Sequence, residues 1–215
     1  MNARPSLIRR GLLLLLPLVL AITLARAASA QNLRQVTPTA LSSILAEPLL
    51  TPAAGAPRGD VTIIEYFDYN CPVCRTIEPQ LRQLVASDRG VRLIHKDWPV
   101  FGAASVYAAY CSFAAAREGK YDLAHTALIT SKQDLDSKDD VQKVLRDAGF
   151  DVKKLDADIA LHQKEYSAAL TRNTEETTAL GLRGTPGLIV GDVLVPGALD
   201  YSQLARLVAQ VRNHP

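Results

Sequence analysis

The order in which apolar positions repeat along the chain predicts its elements. Residues 61–67, Val61-Thr62-Ile63-Ile64-Glu65-Tyr66-Phe67, form a β-branched and aromatic run with apolar residues on both faces. That pattern suits a strand covered on both sides, as in a parallel sheet. Helical spacing takes over near Cys71 and runs to about Ser87 through Ile77, Leu81, Leu84 and Val85, with Pro79 inside and expected to kink it. After Asp88-Arg89-Gly90 a second strand is predicted over 91–97, which completes a parallel βαβ unit. Residues 101–180 then carry only helical signals: an Ala-rich helix over 103–118, a short one over 121–130, a third capped by Ser137 or Asp139, and a long fourth over 154–180. Two short apolar runs around Gly191-Asp192 predict a hairpin, and residues 200–212 a closing amphipathic helix.

The first 58 residues do not fit this alternation. Arg4, Arg9 and Arg10 precede an apolar stretch from Gly11 to Ala25, and Ala28-Ser29-Ala30 offers a small-x-small cleavage site. This is the anatomy of a secretory signal over 1–30, too short and too interrupted by Pro17 for a span of about 20 apolar residues. Residues 31–58 are rich in Pro, Ala, Thr and Ser and predict a leader on the domain surface, with one short helix over 39–47. The whole chain carries 24 basic and 22 acidic residues; removal of four signal arginines leaves 20 basic, a net charge of −2. Such a balance argues against nucleic acid as a partner. Export would put the chain in the bacterial periplasm, where disulfides form.

Only three cysteines are present, and two stand at Cys71-Pro72-Val73-Cys74, where the first strand hands over to a helix. At i and i+3 on a first turn they are spaced to close a small disulfide ring. Free amides and the helix dipole favour the Cys71 thiolate, which makes Cys71 the expected nucleophile and Cys74 the inward, resolving partner. A purely structural disulfide is an alternative reading. So is a zinc site drawing on Cys111, His95 or His125, although a second closely spaced ligand pair is missing. His95, His125 and His162 otherwise read as structural or surface residues, and Cys111 as a small buried hydrophobe.

The run Glu65-Tyr66-Phe67-Asp68-Tyr69-Asn70-Cys71-Pro72-Val73-Cys74 resembles the active-site segment of the DsbA family of exported thiol-disulfide oxidoreductases. Arg183-Gly184-Thr185-Pro186-Gly187 resembles that family's second signature, a loop that holds a cis-proline beside the cysteines. The resemblance spans nearly all of residues 59–215. It implies an α/β thioredoxin fold, its core formed by 59–100 and 181–215, with 101–180 as an inserted all-helical lid domain. It further implies a cis Pro186 and, with Thr185, Pro72 and Val73, a surface for an extended substrate peptide. Glu65 matches the family's buried acid, a candidate proton acceptor for Cys74, with Lys96 on the adjacent strand as its candidate ion-pair partner. No cofactor and no metal are implied.

Two departures bear on function. Val73 stands where the strongest oxidases have histidine, and Thr185 resembles the isomerase and copper-tolerance branches rather than the main oxidase branch. The expected partners are cysteine-containing client proteins and a membrane or soluble redox partner, with oxidase, isomerase and oligomeric state left open. The competing function is a copper-handling protein that uses the Cys71 and Cys74 thiolates as soft ligands.

Overall fold

The computed structural model describes residues 33–46, 50 and 53–213. The signal sequence expected over 1–30 lies outside the described residues. From Arg34 onward the chain forms one compact unit.

Its elements run in the order β1 (Arg34–Gln35), α1 (Pro38–Ala46), β2 (Ala54–Gly55), β3 (Val61–Phe67), α2 (Pro72–Ser87), β4 (Val91–Asp97), α3 (Ala103–Arg117), α4 (Tyr121–Ile129), α5 (Lys138–Asp147), α6 (Val152–Ala179), β5 (Gly187–Val190), β6 (Val193–Val195) and α7 (Tyr201–Asn213). A six-stranded sheet has the order β1-β6-β5-β3-β4-β2, with β3 and β4 parallel and every other pair antiparallel. This is a thioredoxin fold with four helices, α3 to α6, inserted between β4 and β5. Both edge strands come from the segment before residue 59. These residues do more than lie over the surface: they extend the sheet, each edge only two residues long, which leaves little strand exposed for pairing with other chains.

Strand alternation divides the core. One face of the sheet buries Val61, Ile63, Leu188 and Val190 against Ile77, Leu81 and Leu84 of α2 and Leu204 and Leu207 of α7. The other face buries Ile64, Tyr66, Ile94 and Ile189 beneath Val36 and Ile44. A third cluster joins Phe67, Tyr69, Cys71 and Cys74 to the apolar sides of α3 to α6. The cysteines therefore lie at the seam between the sheet and the helical insert.

Local chemistry fixes the helix ends near that seam. Pro72 occupies the first position of α2, where its missing N–H costs nothing. Ser137 and Asp140 form a capping box on α5, and Asp151 caps α6 through the amides of Lys153 and Lys154. Pro79 lies inside α2 without ending it.

The β5–β6 turn depends on Gly191. Its φ is +61°, and a Cβ there would stand 2.2 Å from Cγ1 of Val211 on α7. Gly191→Ala should lose about 2 kcal/mol of stability through the left-handed backbone and the clash combined, measured by denaturant unfolding.

Candidate active site

The loop between β3 and α2 is held by its own side chains. Asp68 is buried, and its Oδ2 accepts the amides of Val100 and Phe101 at 2.7 and 2.9 Å, while Oδ1 accepts Asn70 N and Ser105 Oγ, both at 2.7 Å. The Asp68 carbonyl accepts the Cys71 amide at 3.1 Å. Asn70 and Leu135 exchange two hydrogen bonds, Nδ2 to the carbonyl at 2.9 Å and the Leu135 amide to Oδ1 at 3.1 Å. Arg75 donates from Nε to the Tyr69 carbonyl at 2.7 Å and from Nη1 to the Ser131 carbonyl at 2.8 Å. The loop that presents Cys71 is thereby tied to both the strand layer and the insert.

Cys71 caps α2. Its Sγ accepts the Cys74 amide at 3.4 Å and donates to the Thr185 carbonyl at 3.3 Å. The Thr185–Pro186 peptide bond is cis. All three cysteines are free thiols. The Cys71 pKa falls to about 6, chiefly through the hydrogen bond from Cys74, aided by Thr185 and the Cys74 and Val73 amides against the opposing effect of burial. Cys74 moves the other way: its hydrogen bond to Cys71, its burial and the nearby Glu65 charge all push it well above an ordinary thiol. Cys111 is buried and held up at about 12, chiefly by that burial. Val73 and Phe101 are exposed apolar residues beside this arrangement, at 46% and 52%.

Glu65 is buried as expected, but its partner is His95, whose Nδ1 lies 3.0 Å from Glu65 Oε2. The expectation of Lys96 fails on strand geometry. In the β3–β4 register Glu65 faces His95 and Tyr66 faces Lys96, and successive side chains point to opposite faces. Lys96 instead binds both Glu176 oxygens at 2.7 Å across the far face, where Tyr66 Oη also donates to Glu176 at 2.7 Å. Burial raises the Glu65 pKa, partly offset by the His95 hydrogen bond. For His95, burial opposes protonation but the Glu65 hydrogen bond and charge outweigh it and raise the pKa.

His95 is not an isolated structural residue. Its ring centroid lies 4.3 Å from that of His125 on α4. His125 Nδ1 contacts the Tyr69 and Tyr121 hydroxyls at 3.1 and 3.3 Å, and its Nε2 lies 3.4 Å from Glu78 Oε1 of α2. Burial first, then the His95 charge, hold His125 at about 4. Glu78 stays at about 2 although burial opposes ionisation, because His125, His95 and Arg82 favour its charge. Asp97 completes the set. Burial and the charge of Asp68 raise it well above a normal carboxyl. His162 sits apart on α6 beside Asp158 and Glu165.

The structure brings together the residues expected from the sequence, namely the two cysteines, Glu65 and the Thr185–Pro186 loop. Not expected were the roles of Asp68 and Asn70, although both stand in the quoted active-site run, nor Glu78, His95, Asp97 and His125 as a buried polar group. Glu78 carried a signal: it is a charge on the apolar stripe of α2, one position after Ile77 and three before Leu81.

The thioredoxin fold, the helical insert and a CxxC beside a cis-proline define a class. The DSBA-like thioredoxin domain family matches residues 62–209, and the chain belongs to that family. It is similar to a thioredoxin-like oxidoreductase from Silicibacter pomeroyi DSS-3, at 34% identity and a TM-score of 0.75, over 84% of this chain and 100% of that one. It is also similar to the thiol-disulfide exchange protein alpha-DsbA2 from Wolbachia pipientis, at 25% identity and a TM-score of 0.72, over 80% and 94%. Among curated proteins it is 27% identical over 165 residues to the Na(+)/H(+) antiporter NhaA 1 of Mycolicibacterium gilvum, which covers 74% of this chain and 26% of the antiporter. The chain thus spans about a quarter of the length of the curated relatives it matches. No helix among the described residues is long and apolar enough to cross a membrane.

The split in thiol acidity gives a direct test. The alkylation rate of Cys71 in the reduced protein should rise as pH passes through about 6 and level off above it, while Cys74 and Cys111 stay unmodified until the chain is unfolded. Mass spectrometry after timed iodoacetamide quenching reads all three sites.

Proposed function

We propose that this protein is an exported thiol-disulfide oxidoreductase that exchanges a Cys71–Cys74 disulfide with the cysteines of client proteins. The observation that carries the reading is the split pair: Cys71 is acidic and held against the Thr185 carbonyl, while Cys74 is buried and strongly basic. In the oxidising direction a client thiolate attacks Cys71 Sγ, the Cys71–Cys74 bond breaks, and the Cys74 sulfur leaves and takes a proton. A second client thiolate then attacks the client sulfur of the mixed disulfide and expels Cys71 as its stable thiolate. The client is oxidised by two electrons and the protein is left as a dithiol, which a membrane or soluble redox partner must reoxidise. In the isomerising direction Cys71 attacks a client disulfide and a different client thiolate then displaces Cys71; where Cys74 resolves instead, the client disulfide is reduced and the protein is left with its Cys71–Cys74 disulfide.

The roles divide accordingly. Cys71 is the nucleophile and Cys74 the resolving cysteine. Glu65, backed by His95, is the proton acceptor for Cys74. Thr185 and Pro186 receive an extended client strand, and Pro72, Val73 and Phe101 form the apolar surface around it. The signal anatomy of residues 1–30 supports export.

The reading is tested by equilibrating the protein with glutathione and assaying refolding of a client with scrambled disulfides. It predicts a measurable two-electron couple and catalysed refolding that disappears in Cys71→Ser. Copper bound by the reduced pair, with no exchange activity, would replace it by the copper-handling reading. Val73→His would add an imidazole donor near the Cys71 thiolate, lower its pKa and raise the reduction potential, by about 30 mV per pKa unit. Glu65→Gln keeps shape but removes the base. Resolution of a Cys71 mixed disulfide should slow at least about tenfold, with the first attack by Cys71 little changed. Rapid mixing separates the steps, and equal resolution rates would leave Glu65 a structural residue.

A further inference from the structure

Beneath Cys74 the structure gathers a donor set that disulfide exchange does not require. Glu78 of α2, His95 of β4 and His125 of α4 are all buried, and one ligand atom from each lies within 4.8 Å of the others. Four observations make this more than a crowded core. The His125 Nε2 is fully buried and has no hydrogen-bond partner. It stands 3.4 Å from Glu78 Oε1, close to the edge of a tetrahedron whose metal–ligand bonds are about 2.0–2.1 Å. Each imidazole is also oriented through its other nitrogen, as metal-bound histidines are. His95 turns Nδ1 to Glu65 at 3.0 Å, which assigns Nε2 to ligation, and His125 turns Nδ1 to the Tyr69 and Tyr121 hydroxyls. Finally, the Glu78 carboxylate is steadied from outside by Arg82, whose Nη2 is anchored 2.8 Å from Thr126 Oγ1.

We propose that Glu78, His95 and His125 form a binding site for one divalent transition-metal ion of the zinc type, separate from the cysteine pair. Two nitrogens and one carboxylate oxygen suit such an ion, with a water as fourth ligand. The ion would compensate the two buried carboxylates, Glu65 and Glu78, which are costly to bury with insufficient positive charge. On binding, His95 gives up any proton on Nε2 and keeps Nδ1–H donated to Glu65, while His125 donates Nδ1–H to a tyrosine hydroxyl. The ion would also join the core to the insert, since α2 and β4 belong to one and α4 to the other. Because all three donors are buried, loading occurs as the chain folds.

The test uses the full chain with both active-site cysteines replaced, Cys71→Ser/Cys74→Ser, so that no thiolate pair competes. After refolding with Co²⁺ or Zn²⁺ and removal of loose metal, elemental analysis should find one ion per chain. The Co²⁺ form should show visible ligand-field bands without a sulfur-to-metal charge-transfer band, and the Zn²⁺ form should melt at a higher temperature than the metal-free form. His125→Asn, which keeps a polar atom near Nδ1 but loses Nε2, and Glu78→Gln should each weaken affinity at least tenfold in competition with a chelator. Should both variants fail to fold, the Co²⁺ spectrum and melting shift of the Cys71→Ser/Cys74→Ser protein decide alone. A folded Cys71→Ser/Cys74→Ser protein that retains no metal, or folded variants that retain it as tightly, would overturn the site and leave a hydrogen-bonded polar network. Exchange activity of the metal-free wild type is a separate readout, so the two proposals fail independently.

Discussion

The parallel register between β3 and β4 governs what every charged side chain on the central strands meets. Pairing Val61 with Val91 brings Glu65 opposite His95 on one face and Tyr66 opposite Lys96 on the other. Each face then solves a different problem of buried charge. On the far face Lys96 is neutralised by Glu176, which pins the long helix α6 to the sheet. On the near face Glu65 and His95 sit behind Cys74, where a shared proton has chemical use. A slip by one residue would exchange the two faces and strand both charges. The same register ends both strands beside the Asp68 turn and the helical insert, and so fixes where the cysteines emerge.

The cysteines are identical in covalent structure, and their difference comes from position alone. Both are buried, but Cys71 lies at the N-terminal end of α2, where amides point at its sulfur, and Cys74 lies one turn further along the helix. A single sulfur–sulfur hydrogen bond amplifies the contrast, lowering the acceptor and raising the donor. Glu65 adds to the rise at Cys74 as a neighbouring negative charge. Val73 contributes backbone but no side-chain donor to Cys71, so the depression to about 6 rests on Cys74, on Thr185 and on the Cys74 and Val73 amides. That dependence makes the acidity of Cys71 a property of the dithiol state as a whole.

Much of this was legible in the sequence because the strongest signals are local. The bounds of β3 and β4 follow from composition and turn residues, and the helices of the insert begin or end where Ser137, Gly149 and Gly181 say they should. The CxxC at a strand-to-helix junction, with Thr185-Pro186 before the hairpin, specified the site through two short motifs. What was not legible depends on pairing between distant segments. Lys96 and His95 are adjacent in sequence, and only the strand register decides which of them meets Glu65. The role of residues 34–35 and 54–55 as sheet edges was hidden for the same reason, since two-residue strands leave no periodicity to read. That His125, His95 and Glu78 would meet was hidden too, because they come from three separate elements.

The position of the buried polar group relative to the cysteines carries a mechanistic consequence. An attacking Cys71 needs no base, since its pKa already lies below neutral. Cys74 is the thiol that must lose a proton when it attacks and regain one when it leaves, and it does so away from water. The acceptor therefore has to be brought into the core, where a carboxylate is costly unless compensated. His95 supplies that compensation for Glu65, yet its own charge disfavours protonation of His125 beside it. Glu78, kept ionised by Arg82 and the imidazoles, offsets part of that repulsion. Four elements, β3, α2, β4 and α4, are needed to assemble this arrangement, and one of them, α4, belongs to the insert. Under the proposed mechanism the insert thus contributes to the surroundings of the Cys74 acceptor through α4.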